Sequence, residues 1–142
     1  MYKKILVPVD ESEASMRALQ EACKLAQSNS ASLEIIHIFD YARFSWSTQG
    51  ISHIEQTDES SDEILNRAKA MTNKYGVSAN TAIIDNTGEK IADIIVRKAQ
   101  ENDCDLISMG THGLTGIMHL LMGSVAEGVL RKSKIPVMLI RY

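Results

Sequence analysis

The residues best suited to chemistry gather near the C-terminus: Gly110, Thr111, His112 and Gly113, then nine residues, then Gly123, Ser124 and Val125. An apolar run, Asp105 to Met109, precedes them, and a helical pattern beginning at Val125 follows. Glycine permits close backbone approach to a ligand. The amides that open a helix have no internal partner and lie at the positive end of its dipole. A strand that breaks into a glycine loop and feeds a helix therefore suits a phosphate or another anion. Thr111 and Ser124 add hydroxyls, and Ser124 is expected to cap the helix. The loop is not a Walker A loop, because the chain contains no Gly-Lys-Ser or Gly-Lys-Thr. Nor do its glycines, Gly110-x-x-Gly113-x-x-Gly116, match the dinucleotide fingerprint. Taken singly, each glycine is equally at home in an ordinary helix-capping loop.

Other reactive side chains are scattered. Asp10 follows an apolar strand and reads either as a ligand contact or as a turn residue at the start of the first helix. Asp10, Ser12 and a histidine do not make a hydrolase triad, since no Gly-x-Ser-x-Gly elbow is present. His37 reads as a satisfied strand histidine. His112 and His119 are seven positions apart, with no third ligand at metal-site spacing. Cys23 and Cys104 show no Cys-x-x-Cys pattern and read as buried free thiols of a cytoplasmic protein.

The elements that must position these residues alternate. Ile5 to Val9 is an apolar, β-branched strand, and Asp10-Glu11-Ser12 supplies a turn and an N-cap. Met16, Leu19, Cys23 and Ala26 recur at helical steps up to Ser28-Asn29-Ser30. Leu33 to Phe39 is a second strand. Residues 40 to about 60 have no clear period and form a long connection. Helices are predicted from Ser60 or Ser61 to Tyr75, with Gly76 beyond its end, and from Glu89 to Gln100. Strands are predicted from Ser78 to Asp85, Asp105 to Met109 and Ile135 to Ile140. Such alternation with continuously apolar strands predicts a doubly wound α/β fold, a parallel sheet with helices on both faces. Its ligand crevice belongs at the carboxyl ends of the strands, where the winding reverses. If the first and fourth strands flank that switch, Asp10 and Gly110 converge.

At 142 residues the chain suits a single domain with one substantial core. A net charge of -3 argues against a nucleic-acid-coating role. Its apolar runs are strand-sized, short of the roughly 20 residues of a membrane span. The N-terminal apolar stretch is too short for a signal peptide, so a cytoplasmic protein is expected.

As a set, these segments resemble the universal stress protein family. Gly110-x2-Gly113-x9-Gly123-Ser124 is similar to that family's nucleotide-binding motif. Lys4-Ile5-Leu6-Val7-Pro8-Val9-Asp10, the strand ending His37-Ile38, and Ile135-Pro136-Val137-Met138-Leu139-Ile140 resemble it in the same order. Only residues 40 to 60 lack a recognisable counterpart. The resemblance implies a five-stranded parallel sheet in order 3-2-1-4-5 and a homodimer through the fifth strands, at Val137, Met138, Leu139 and Ile140. It also implies ATP at the carboxyl ends of strands one and four. Pro8, Val9 and Asp10 would line the adenosine side, with Asp10 near the ribose or an associated cation. Ile38 and Met109 would contact adenine. Gly110, Gly113, Gly123, Ser124 and Val125 would surround the phosphates, with Thr111 and His112 in the same nucleotide-binding set.

One departure has a chemical consequence. Where some members carry a lysine or arginine after the second glycine, this chain has Leu114, and no Lys or Arg occurs between Lys98 and Arg131. A triphosphate would rely on backbone dipoles, hydroxyls, His112 or His119, and Mg2+ or Mn2+. AMP and ADP stay open as alternatives. Without a positioned general base or arginine finger, a nucleotide-occupied sensor or regulator is expected, with slow ATP hydrolysis at most. The alternatives are a scaffold of the same fold with incidental nucleotide binding, and a nucleotide-using enzyme.

Overall fold

The computed structural model describes residues 1–40, 60–112 and 122–141, and elements are numbered through them. Five strands, β1 (Lys4–Pro8), β2 (Ser32–Asp40), β3 (Ala79–Asn86), β4 (Leu106–Gly110) and β5 (Val137–Ile140), form one sheet in the order β3-β2-β1-β4-β5. Every pairing is parallel, with Val7 opposite Ile35 and Ser108 opposite Met138. Because parallel strands need crossovers, helices cover both faces, and the central strands are largely apolar. Ile5, Val7, Leu33, Ile35 and Leu106 meet α1 (Glu13–Asn29) and α2 (Ser61–Tyr75) on one face. Leu6, Ile36, Ile107 and Met109 meet α3 (Ile91–Glu101) and α4 (Ser124–Lys132) on the other. No helix among the described residues is long and apolar enough to cross a membrane.

Local chemistry sets most element ends. Ser12 caps α1 by accepting from the Ser15 amide, and Ser30 ends it in the left-handed region at φ 55°. Ser60 caps α2 in the same way, and Gly76 ends it at φ 66°, where glycine carries no Cβ penalty. Most ends fall within one residue of the sequence expectation, and two starts differ from it by two. The third helix begins at Ile91 rather than Glu89, because buried Asn86 holds the intervening turn. Its Oδ1 accepts from the amides of Gly88 and Glu89, and its Nδ2 donates to the Glu89 carbonyl. Strand β5 begins at Val137 rather than Ile135, since the Ser133 hydroxyl closes a turn on both backbone groups of Ile135. Pro136, lacking an N–H, joins the ladder only as an acceptor from Ile107.

Two close approaches fix how the helices sit. Ala14, Ala18 and Ala22 form a buried small-residue stripe on α1. Fully buried Ser108 on β4 donates to the Ala18 carbonyl at 3.0 Å. A Cβ added at Gly110 would lie 3.0 Å from Ala14 Cβ and 3.2 Å from its carbonyl carbon. Glycine at 110 thus lets the first turn of α1 reach the end of β4. On the opposite face, a Cβ at Gly128 of α4 would stand 2.7 Å from Ala92 Cβ of α3, so that pair of helices needs glycine there.

Candidate functional site

The carboxyl ends of β1 and β4 are neighbours, and the strand order turns back between them: β2 and β3 lie outside β1, β5 outside β4. In open α/β sheets this switch point forms the crevice. The residues that build its two lips come from the turn after β1 and the loop after β4.

On the first lip, the backbone of Val9 is spent on β2. Its amide donates to Ile36 at 2.8 Å, and its carbonyl accepts from His37 Nδ1 at 2.9 Å. A carbonyl can only accept, so the proton sits on Nδ1, and in the neutral ring Nε2 is left as an acceptor. His37 is thus the satisfied strand histidine expected, and it also pins the start of the turn. The Val9 side chain is buried in the α1/α2 core, so a contribution to the crevice from Val9 is through backbone rather than side chain. Pro8 is half-buried opposite Ile36. Asp10 is half-buried, and its Oδ1 accepts from the Ser12 amide at 2.7 Å. It is therefore a turn residue, while the cap of α1 is Ser12.

Thr111 organises the second lip. It is 7% exposed, its amide donates to the Ile140 carbonyl of β5 at 3.0 Å, and its carbonyl accepts from Gly123 at 2.7 Å. Its Oγ1 lies 3.1 Å from His112 Nδ1. His112 Nε2 is buried without a hydrogen-bond partner among the described residues.

The start of α4 corrects the expected cap. Gly123 is the N-cap, with φ −76° and ψ 164°, Ser124 is the first helical residue, and no side chain caps the helix. The first amide paired inside α4 is that of Glu127, to the Gly123 carbonyl at 3.0 Å. The reason is steric: a Cβ at Gly123 would lie 3.1 Å from the Thr111 carbonyl oxygen. With serine one place further on, its hydroxyl no longer sits where a cap must. Ser12 and Ser60 close α1 and α2, whereas α3 and α4 have no capping side chain, and of these two it is α4 that starts beside the β1/β4 switch point. Its first amides and its dipole suit an anion.

Ile38 and Met109, the two residues expected beside a base, belong to one apolar cluster. Met109 is buried on the α3/α4 face, and Ile38, Met122 and Val125 pack half-buried against the same cluster. Gly113 lies outside the described residues, as do Leu114, Gly116 and His119. No group of three or more His, Cys, Asp or Glu that could hold a metal occurs among the described residues. Both cysteines are buried, and burial pushes each thiol up to about 11.

Sequence reasoning missed Ser15 and Ser108. Ser15 carries a local signal in retrospect, since Asp10-x-Ser12-x-x-Ser15 places three short polar side chains around one turn. Ser108 sits inside an apolar run, and its partner is 90 positions away.

A doubly wound parallel sheet with an aspartate turn and an uncapped helix start at its switch point is a Rossmann-like α/β protein. More narrowly, the chain belongs to the universal stress protein family, whose model matches residues 1–141. It is 34% identical to Universal stress protein MJ0531 of Methanocaldococcus jannaschii, over 99% of this chain and 83% of that one. Among solved structures it is similar to that of the hypothetical protein MJ0577, at TM-score 0.79 and 26% identity, covering 100% of this chain and 97% of that one. It is also similar to a universal stress protein solved in complex with cAMP, at TM-score 0.71 and 25% identity, covering 99% of this chain and 97% of that one.

Proposed function

We propose that this chain binds an adenine nucleotide, ATP with AMP or ADP as alternatives, and acts as a nucleotide-dependent stress sensor or regulator. The observation that carries the reading is the uncapped start of α4 beside the Asp10 turn at the β1/β4 switch point. The cAMP complex of a family member supports the adenine part. In this reading the base lies against Ile38 and Met109, with Pro8, Val9 and Asp10 along the adenosine. The phosphates meet the backbone of Gly110, Gly113, Gly123, Ser124 and Val125, with Thr111 and His112 beside them. Since residues 99–130 contain no Lys or Arg, Mg2+ or Mn2+ would offset a triphosphate's charge. Binding is favoured over turnover, with slow hydrolysis at most. Purified protein that is denatured should release adenine nucleotide identifiable by mass, and the emptied protein should bind ATP in calorimetry. Protein that releases no nucleotide and binds none would refute the proposal.

We also read the chain as a single cytoplasmic domain that dimerises through β5. Val137, Met138, Leu139 and Ile140 are all half-buried, and this edge carries no lysine. Sedimentation should give twice the monomer mass, and a monomer at high micromolar concentration would count against it.

A further inference from the structure

We propose that Ser15 is a positioning residue that holds the Asp10 carboxylate for the ribose hydroxyls of the bound nucleotide. The inference rests on the nucleotide reading above.

Ser15 lies in the first turn of α1 and is 7% exposed. Its Oγ accepts from the Asp10 amide at 3.0 Å and lies 3.0 Å from the Asp10 carbonyl and 3.1 Å from the Ser12 carbonyl. With its single proton donated to the Asp10 carbonyl, the hydroxyl closes both backbone groups of Asp10 on one side chain. The carboxylate is then set from the other side, since the Ser12 amide holds Oδ1 at 2.7 Å. Oδ2 has no hydrogen-bond partner among the described residues. A fixed carboxylate with one open oxygen is an acceptor in search of a donor. Phosphate oxygens are acceptors too and would be repelled, so the matching part of a nucleotide is its sugar, whose 2′ and 3′ hydroxyls donate. That agrees with the adenosine placement of Asp10 in the reading above, and what is added is the part Ser15 plays in it.

The Ser15 hydroxyl does not cap the helix, although the Ser12 carbonyl at the helix start is its alternative acceptor. The cap is the Ser12 hydroxyl acting on the Ser15 amide, and alanine is the better helix former at position 15. What the hydroxyl secures is the geometry of Asp10.

The test compares ATP with 2′,3′-dideoxy-ATP by calorimetry, on wild-type protein, Ser15→Ala, Asp10→Asn and the double variant, with thermal melts alongside. Ser15→Ala should weaken ATP binding about tenfold and leave dideoxy-ATP nearly unchanged. The double variant should be no weaker than Asp10→Asn alone, because the two residues act as one unit. Ser15→Thr, which keeps the hydroxyl, should retain ribose discrimination, and Ser15→Cys, whose thiol hydrogen-bonds weakly, stands in for Ser15→Ala if that variant fails to fold. Equal losses for both ligands, additive losses in the double variant, or an unchanged ATP affinity would overturn the assignment while leaving nucleotide binding intact. Wild-type protein that binds neither ligand would bring down the nucleotide reading, and this inference with it.

Discussion

The Gly123 amide donates to the Thr111 carbonyl across 2.7 Å, and a side chain at position 123 would bring its Cβ to 3.1 Å from that same oxygen. The lip that opens α4 is therefore closed on itself by a contact that a side chain at position 123 would crowd. Gly123→Ala should separate the two backbones, costing on the order of 1–2 kcal/mol of stability and weakening adenine-nucleotide binding. Thermal melting and calorimetry read the two effects. Since φ at Gly123 is −76°, backbone strain contributes nothing, and an unchanged melting point would mean that Thr111 simply moves aside.

Gly128 and Ala92 make a second prediction on the far side of the sheet. Alanine at 128 gains roughly 1 kcal/mol in helix propensity. Its Cβ, however, meets Ala92 at 2.7 Å, and overpacking of that kind costs about 1–3 kcal/mol. Gly128→Ala should be destabilising, and Gly128→Ala with Ala92→Gly should lose less than the sum of the single changes. A denaturant double-mutant cycle measures the coupling; simple additivity would show that α3 and α4 slide freely.

The two serines at helix starts should behave differently. Ser12→Ala removes the side-chain cap of α1 and should cost about 1 kcal/mol. Ser124→Ala removes no cap, because Gly123 occupies that position, and should stay within about 0.5 kcal/mol of wild type. Urea unfolding distinguishes them, and equal losses would contradict the cap assignment.

The buried thiols predict a pH dependence. Burial raises Cys23 and Cys104 to about 11 from an ordinary value of 9.0. The unfolded chain ionises both near 9, while the folded chain keeps them protonated. Their contribution to stability is thus fully present below pH 9 and lost as pH rises from 9 to 11. Cys23→Ala with Cys104→Ala should flatten that part of the stability profile relative to wild type. Native thiols should also react with a disulfide reagent at pH 8 far more slowly than thiols in urea.

How far the sequence reached is clearest residue by residue. Strand and helix alternation, the apolar β1 and the ends at Ser60 and Gly76 were legible, because they depend on spacings of a few residues and on local capping chemistry. The pairing of His37 with its own strand neighbourhood was legible in kind. Ser124 as a cap was not, since the choice between it and Gly123 is made by Thr111, which is remote in sequence. The family resemblance put Val9 along the adenosine; its side chain is buried in the α1/α2 core, which leaves its backbone for that role.

By itself, then, the sequence determined the order of elements, the parallel sheet and the family to which the chain belongs, all of which follow from periodicity and motif spacing. The tertiary structure decided what each residue at the crevice is for. Gly110 lets the backbone of Ala14 approach, Ser108 holds Ala18, and Ser15 closes the turn that carries Asp10. Close approach depends on which surfaces the fold brings within a few ångströms of each other, and chain spacing carries no record of that distance.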